Sequence, residues 1–255
     1  MRKNILIICL YFLSTFVFAD DDKVVTITVS EFPPFEFVQD GKASGFSVDL
    51  ITEVFEAAGY EPKFIDLPWT RALEAAQVGE IDVITNIRDS VAREKYFIYS
   101  DPILYSEHYF FKKKTLDIHP TNFTEIQSYS IATVNGYFYG QNFVDAKFKN
   151  LVPMSSSAPG LANLRKLVAG RVDLVACQIS VCSYLINKYK EEFTDIDYIT
   201  SLPIDVDQPS YIAFPKAHPE RSQRLLLAFN TGLKQYIAEG KKKELINKYN
   251  IYGIK

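Results

Sequence analysis

A joint between a helix, a glycine and a strand occurs twice in this chain and constrains the fold more than any other feature. Val78 to Thr85 reads VGEIDVIT, and Ala169 to Ala176 reads AGRVDLVA. In both segments a glycine follows a helical pattern, and an aspartate precedes an apolar run. Glycine supplies the left-handed backbone that a tight turn from helix to strand requires. Unless one such joint recurs by chance, the repetition predicts two α/β units in one chain.

The rest of the pattern alternates strands with helices. Strands are predicted at 24–29, 64–67, 81–84, 130–134, 172–176 and 211–214. Helices are predicted from Ser47, as the capping residue, to Gly59, from Pro68 to Gly79, from Pro159 to Gly170 and from Pro219 to Ala238. This alternation is typical of parallel α/β sheets.

Residues 1–19 have the pattern of a secretory signal peptide. Arg2 and Lys3 precede an apolar run from Ile5 to Phe18, and Ala19 ends a cleavage motif of two small residues separated by one other residue. A membrane-spanning helix needs roughly 20 apolar residues, and this run is shorter, so an uncleaved membrane anchor is the less favoured alternative. We expect export to the periplasm.

The net charge and the histidine and cysteine content limit the kinds of partner and cofactor that the sequence predicts. The leader holds two of the 28 basic residues and none of the 31 acidic ones, so the remainder has five more acidic than basic residues. This balance argues against a nucleic-acid partner and favours a soluble monomer. The three histidines are scattered, so neither a metal site nor a cofactor is predicted. The sequence leaves open whether Cys177 and Cys182, five residues apart, form a disulfide.

An ordered set of motifs resembles the family 3 extracellular solute-binding proteins, which serve polar amino-acid ABC transporters. From about Val24 onwards the motifs are ITVSEFPPFEF, SGFSVDL, PWTRAL, GEIDVIT, SVAREKYFIYSDPI and GRVDLV. The resemblance implies a type II periplasmic-binding-protein fold, with two α/β lobes joined by a two-segment hinge. Residues 20–110 and 208–255 would form a discontinuous first lobe, and residues 111–207 the second.

The resemblance also implies ligand contacts in the first lobe. It places the ligand carboxylate at Arg93, where Ser90 would cap a short helix; an ordinary surface arginine is the alternative. A planar guanidinium beside free backbone N–H groups suits a carboxylate. Trp69 and Phe32 align with aromatic walls of the family's site, and the neighbouring Glu31 could meet a ligand cation.

Three further candidates follow the strand at 81–84. Thr85, Asn86 and Arg88 would lie at the carboxyl end of the sheet, where ligands of open α/β sheets bind. For Arg88, a salt bridge with a neighbouring carboxylate, Asp89 or Glu94, is the alternative.

The loop VNGYFYG supplies the second lobe's candidates Gly136, Tyr137 and Phe138. Where the family has short hydroxyl residues after the glycine, this chain has rings, so only the backbone donors remain. Tyr137 is either a lid over the ligand or a packed loop residue.

Gln178 departs from the family pattern. Amino-acid binders of the family have an aspartate five residues after the Asp173 position, where it pairs with the ligand's α-ammonium. Glutamine is neutral and offers both a donor and an acceptor. A buried ammonium would therefore lose its charge partner unless Glu31 or Asp207 supplied one.

These observations predict a binding protein that captures a small polar, carboxylate-bearing molecule, such as an amino acid, for an ABC permease or a membrane receptor. The alternative is a dehydratase-like enzyme on the same fold, acting on a cyclic carboxylic acid with Glu31 as its acid or base. The sequence has no nucleophile elbow, zinc pair or phosphate loop, so we expect no enzymatic activity.

Overall fold

The computed structural model describes residues 22–251, so the predicted leader lies outside the described residues. The first elements are β1 (Val24–Val29), β2 (Phe37–Gln39), β3 (Lys42–Ser44), α1 (Phe46–Ala57), β4 (Glu61–Asp66), α2 (Trp69–Val78), β5 (Ile84–Ile87), α3 (Val91–Glu94) and β6 (Phe97–Tyr99). Strand β1 pairs in parallel with β4. Backbone hydrogen bonds from Thr28 to Val83 (2.9 Å) and from Val83 to Thr26 (3.0 Å) join β1 to the segment before β5.

The middle of the chain continues with β7 (Leu104–Lys113), a 3-10 helix (Phe123–Ile126), β8 (Ile131–Val134), α4 (Gln141–Asp145), β9 (Leu151–Met154), α5 (Pro159–Val168), β10 (Leu174–Gln178), α6 (Ile179–Lys188) and β11 (Ile196–Tyr198). The last elements are β12 (Asp205–Pro215), α7 (Pro219–Ala238) and α8 (Lys241–Lys248). Strand β8 lies between β9 and β10 and is parallel to both. The two α/β units predicted from the repeated joint are therefore present.

Two long strands, β7 and β12, connect these units and run antiparallel side by side. The first half of β7 pairs with β12, from Leu104 to His108, and the second half pairs with β10, from His108 to Phe111. His108 is therefore opposite Asp205 on one side and Gln178 on the other. The predicted lobe boundaries, at 110/111 and 207/208, fall inside these strands, and the division into lobes stays a prediction.

The start of α1 differs from the prediction that Ser47 caps it. The capping position is Gly45, with φ 122°. A Cβ atom there would lie 2.4 Å from the carbonyl oxygen of Phe35, so only glycine fits. Ser47 lies within the first turn, and its hydroxyl donates a hydrogen bond to Asn86 Oδ1 at 2.8 Å.

The strand predicted at 81–84 is displaced, since β5 begins at Ile84. The reason is the Asp82 side chain, which accepts hydrogen bonds from the backbone N–H and the hydroxyl of Thr26, both at 2.9 Å. At this position a carboxylate thus takes the place of a backbone hydrogen bond between strands.

Candidate ligand-binding site

A small cavity lies where the carboxyl ends of strands from both α/β units meet beside β7 and β12. Its lining includes eight of the predicted site residues: Phe32, Trp69, Asn86, Arg88, Arg93, Tyr137, Phe138 and Gln178. The cavity volume is about 40 Å³, room for only a few water-sized groups at roughly 10–15 Å³ each. A ligand of amino-acid size therefore enters only when the two sides, or their side chains, move apart.

Arg93 is a buried cation at this cavity, with 7% of its surface exposed. Its guanidinium donates hydrogen bonds to the carbonyl oxygens of Arg88 (2.6 Å) and Gly136 (2.8 Å). Its Cζ lies 5.6 Å from the centre of the Trp69 ring. Burial lowers the pKa of Arg93 to about 10, so the group stays protonated at neutral pH. Carbonyl oxygens carry only partial charges, and this guanidinium therefore keeps its affinity for a full carboxylate.

Arg88, the second cation, already has an anionic partner. Its Nη1 lies 2.5 Å from Asp205 Oδ2, whereas neither neighbour weighed from the sequence forms this pair. Asp205 also accepts a hydrogen bond from the His108 backbone N–H at 3.2 Å, and His108 Nδ1 lies 3.1 Å from the same carboxylate. Burial alone would raise the pKa of Asp205, but His108 and Arg88 outweigh it and lower that pKa. The pair is locally neutral, which leaves Arg93 to attract an anion.

Glu36 is a cavity residue that the sequence analysis missed. Only 1% of it is exposed, and its carboxyl accepts hydrogen bonds from the Ser30 backbone N–H (3.2 Å) and the Thr85 hydroxyl. Burial raises the pKa of Glu36 to about 7, although the hydrogen bonds from Thr85 and Ser30 act in the opposite direction. At neutral pH the group is thus present in both protonation states.

Three aromatic rings meet at the cavity. The Tyr137 ring lies 5.3 Å from that of Trp69 and 6.0 Å from that of Phe32, in both cases edge to face. Burial raises the pKa of Tyr137 well above 10. Trp69 Nε1 donates a hydrogen bond to the Gly136 carbonyl oxygen at 3.0 Å, so Gly136 presents an acceptor here, where the sequence predicted backbone donors. The ring of Phe138 lies 5.9 Å from the Arg88 guanidinium carbon.

Gln178 ends β10 and caps α6. Its Oε1 accepts a hydrogen bond from the Val181 backbone N–H at 2.8 Å. Since a backbone N–H only donates, the amide orientation is fixed, and the Nε2 amino group is the part left for other contacts. The family's ammonium position is therefore occupied here by a hydrogen-bond donor.

The other predicted residues lie beside the cavity. Glu31 lines a smaller adjoining chamber; burial raises its pKa, while the charge of Lys188 acts in the opposite direction. Thr85 is buried behind the cavity, where it holds Glu36. Asp207, the other anion weighed for a ligand ammonium, is exposed on β12.

Several cavity residues beyond the predicted ones come from the two long strands. Leu104, Ser106 and His108 occupy alternate positions of β7, and Ser210 lies on β12. Alternate residues of a strand share one face, so their spacing in the sequence could have indicated that these three side chains lie together. Ser106 and His108 are both buried although polar, which makes this face of β7 a candidate for ligand contact.

Cys177 and Cys182 form a disulfide, the pairing that the sequence left open. Across residues 22–251, no three histidine, cysteine or acidic side chains come together as a metal site would require. Within the same range, none of the helices combines the length and apolar character needed to cross a bilayer.

Solved structures share this architecture. A histidine kinase sensor domain with similarity to periplasmic binding proteins has a TM-score of 0.78 at 20% identity, over 91% of this chain and 96% of that chain. The arginine-, lysine-, histidine-binding protein ArtJ from Geobacillus stearothermophilus has a TM-score of 0.75 at 23% identity, over 89% and 94% of the two chains. The fold is that of the type II periplasmic binding proteins, which confirms the predicted class.

The family follows from sequence as well as from shape. The model of the bacterial extracellular solute-binding proteins, family 3, matches residues 24–251, and the chain belongs to that family. The probable amino-acid-binding protein YxeM of Bacillus subtilis (strain 168) is 22% identical over 233 residues, which cover 90% of this chain and 85% of that protein. The resemblance seen in the ordered motifs is confirmed.

Proposed function

We propose that this protein captures a small carboxylate-bearing ligand, an amino acid or a close relative, between two lobes that close around it. The carboxylate is held at Arg93, and the aromatic rings of Phe32, Trp69 and Tyr137 enclose the rest of the ligand. The closed form is read by an ABC permease, to which the protein delivers the ligand as a monomer in the periplasm.

The observation that carries this proposal is the state of Arg93. It is a buried guanidinium whose hydrogen bonds go to two carbonyl oxygens, while the neighbouring Arg88 is neutralised by Asp205. Burying a charge is costly unless an opposite charge compensates. A ligand carboxylate provides that compensation and is therefore bound.

The names of similar proteins support the ligand class. The Bacillus subtilis relative is called a probable amino-acid-binding protein, and the Geobacillus protein binds arginine, lysine and histidine. The family match supports an exported protein, in agreement with the predicted leader.

A thermal-shift screen over amino acids, other carboxylates and small amines finds the ligand, and calorimetry then compares Arg93→Ala with wild type. A ligand at 100 times its Kd adds ~2.7 kcal/mol of stability. We expect the dissociation constant to rise at least about tenfold in Arg93→Ala, since one charge-assisted contact contributes about that much. Arg171→Ala removes an exposed arginine and serves as the matched control. An unchanged dissociation constant in Arg93→Ala removes Arg93 from the site.

A second candidate is an elimination enzyme of the dehydratase type, and Glu36 favours it more than Glu31 does. Glu36 lines the cavity that holds both arginines, and its pKa of about 7 suits a general acid at neutral pH. Incubation with prephenate-like acids tests this reading. Product formed by wild type but not by Glu36→Gln would establish catalysis.

A sensing role differs from transport in the partner rather than in the site. The sensor-domain structure with a similar fold supports a membrane receptor as the alternative reader of the closed form. Neighbouring genes for a permease and an ATPase favour transport, whereas a neighbouring histidine kinase or cyclase gene favours sensing.

A further inference from the structure

A second, smaller chamber adjoins the cavity that holds Arg93. The two spaces share four lining residues: Phe32, His108, Tyr137 and Gln178. The chamber encloses about 20 Å³. A single water-sized group needs roughly 10–15 Å³ by this kind of measure, so the chamber accommodates one small polar group.

Two buried polar atoms meet this chamber without a partner. Gln178 Nε2 and Asn163 Oδ1 have no hydrogen bond to any residue between 22 and 251. Both residues line the chamber, and only 3% of Gln178 and 1% of Asn163 is exposed. A buried polar atom without a partner costs about 1–3 kcal/mol, and such atoms are rare. Two residues of one lining that each have such an atom indicate that the chamber receives a polar group.

The remaining atoms of the two amides fix what the chamber offers. Gln178 Oε1 accepts from the Val181 backbone N–H at 2.8 Å, and Asn163 Nδ2 donates to the Thr133 carbonyl oxygen at 3.1 Å. A backbone N–H only donates and a backbone carbonyl only accepts, so neither amide can be reversed. The unpaired groups of the lining are therefore the Gln178 Nε2 amino group, which donates, and Asn163 Oδ1, which accepts.

This pattern selects against charged groups. A carboxylate would accept from Gln178 but would face the Asn163 oxygen, and an ammonium would donate to Asn163 but would face the Gln178 N–H group. Glu31 also lines the chamber; burial raises the pKa of its carboxyl, and the charge of Lys188 acts in the opposite direction. A neutral group that both donates and accepts satisfies both amides.

We propose that this chamber is a specificity subsite for an uncharged ligand group that donates and accepts a hydrogen bond, such as a hydroxyl or a carboxamide. The subsite rests on the proposed function, because it assumes that the same ligand carries a carboxylate at Arg93. Gln178 and Asn163 then determine which carboxylates are accepted.

Calorimetric titration with matched pairs of L-amino acids tests the subsite. Threonine is compared with valine, homoserine with norvaline, and glutamine with glutamate. We expect at least one pair in which the hydroxyl or carboxamide member binds about tenfold or more tightly than its partner, because the partner leaves Gln178 and Asn163 unpaired.

Two variants assign that preference to the chamber. Asn163→Leu keeps the branched shape of the side chain but removes the acceptor, and it should reduce the preference to below about threefold. Gln178→Glu keeps an oxygen for the Val181 N–H group and replaces the donor with a carboxylate oxygen. This variant should shift the preference from glutamine towards lysine. It is the variant on which the test relies if a thermal melt shows that Asn163→Leu does not fold.

The outcomes separate the two proposals. Equal affinities within every pair, for probes whose binding depends on Arg93, overturn the subsite and leave the proposed function standing. A preference that both variants leave unchanged also overturns the subsite, because the chamber then holds only water. Failure of every probe to bind overturns the subsite, whereas the proposed function is overturned only if no carboxylate of the thermal-shift screen binds.

Discussion

At the scale of the residue, the cavity's electrostatics depend on three side chains with different partners. Arg88 is compensated by Asp205, Glu36 is held by neutral donors, and Arg93 is held by carbonyl oxygens. The net result is a positive site next to a carboxyl group that titrates near neutral pH. The proposed affinity for an anion and the expected sensitivity to pH therefore belong to neighbouring but separate residues.

Glu36 predicts a pH dependence of stability. Its pKa is about 7 in the folded protein against an ordinary value of 4.5, so the folded state binds more protons between these values. The free energy of unfolding therefore falls as the pH rises through this window, by about 3 kcal/mol in total at ~1.4 kcal/mol per unit. Glu36→Gln lacks this contribution. Its free energy of unfolding, relative to that of wild type, should therefore rise from pH 4.5 to pH 7.5.

Urea denaturation of wild type and Glu36→Gln at several pH values measures this difference. Parallel stability curves for the two proteins would show that the Glu36 carboxyl ionises in the folded state as easily as in the unfolded chain.

Arg93 was predicted because the short motif that contains it resembles the family's pattern. The ion pair of Arg88 with Asp205 joins residues 117 positions apart, and no local pattern indicates such a partner. Glu36 was missed for a similar reason, since its burial depends on packing and on the Thr85 hydroxyl, 49 positions away. The position of a residue at the cavity was thus predictable where a short motif carries it, whereas its partners in space were not.

At the scale of the element, periodicity predicted the bounds of helices and strands well where local backbone preferences alone set them. Strand β1 and helix α7 have the predicted bounds, and α2 begins after Pro68 and ends at Gly79. The prediction failed where a side chain replaces backbone pairing, as Asp82 does before β5, or where a close approach requires glycine, as at Gly45. Both effects depend on a second segment of chain that the local pattern does not show.

Gly232 in α7 provides a second test of such close approach. A Cβ atom at this position would lie 2.9 Å from Val54 Cγ1 and 3.3 Å from the Val54 carbonyl oxygen on α1. Alanine normally stabilises a helix by about 1 kcal/mol relative to glycine, but overpacking costs about 1–3 kcal/mol. We expect Gly232→Ala to lower the free energy of unfolding in urea denaturation.

Val54→Ala combined with Gly232→Ala is the control for that prediction. Removing the Val54 methyl groups makes room for the new Cβ, so the double variant should lose less stability than the two single losses added together. A Gly232→Ala protein more stable than wild type would contradict the close contact between α1 and α7.

At the scale of the whole molecule, the site is formed where two α/β units meet along β7 and β12. Trp69 and Arg93 from one unit both bond to the Gly136 carbonyl oxygen of the other, across a cavity of about 40 Å³. Ligand entry must break or rearrange these contacts. The repeated helix–glycine–strand joint predicted the two units, but the volume between them depends on their mutual approach and could not be predicted.

Trp69 reports on that movement. It is the sole tryptophan of the sequence, and its ring contacts Arg93 and Tyr137 at the cavity. Ligand titration should change the tryptophan emission with the same dissociation constant that calorimetry gives. Calorimetric binding at unchanged emission would show that the ligand binds away from Trp69.

The central claim is that a buried guanidinium selects the ligand's carboxylate, and one comparison tests it most directly. Calorimetry measures the affinity of wild type for the ligand found in the screen and for its carboxylate methyl ester, which keeps the shape but loses the charge. We predict that the ester binds at least about thirtyfold more weakly, since hydrogen bonds between charged groups contribute roughly 1.5–3 kcal/mol. Equal affinity for acid and ester would contradict the account.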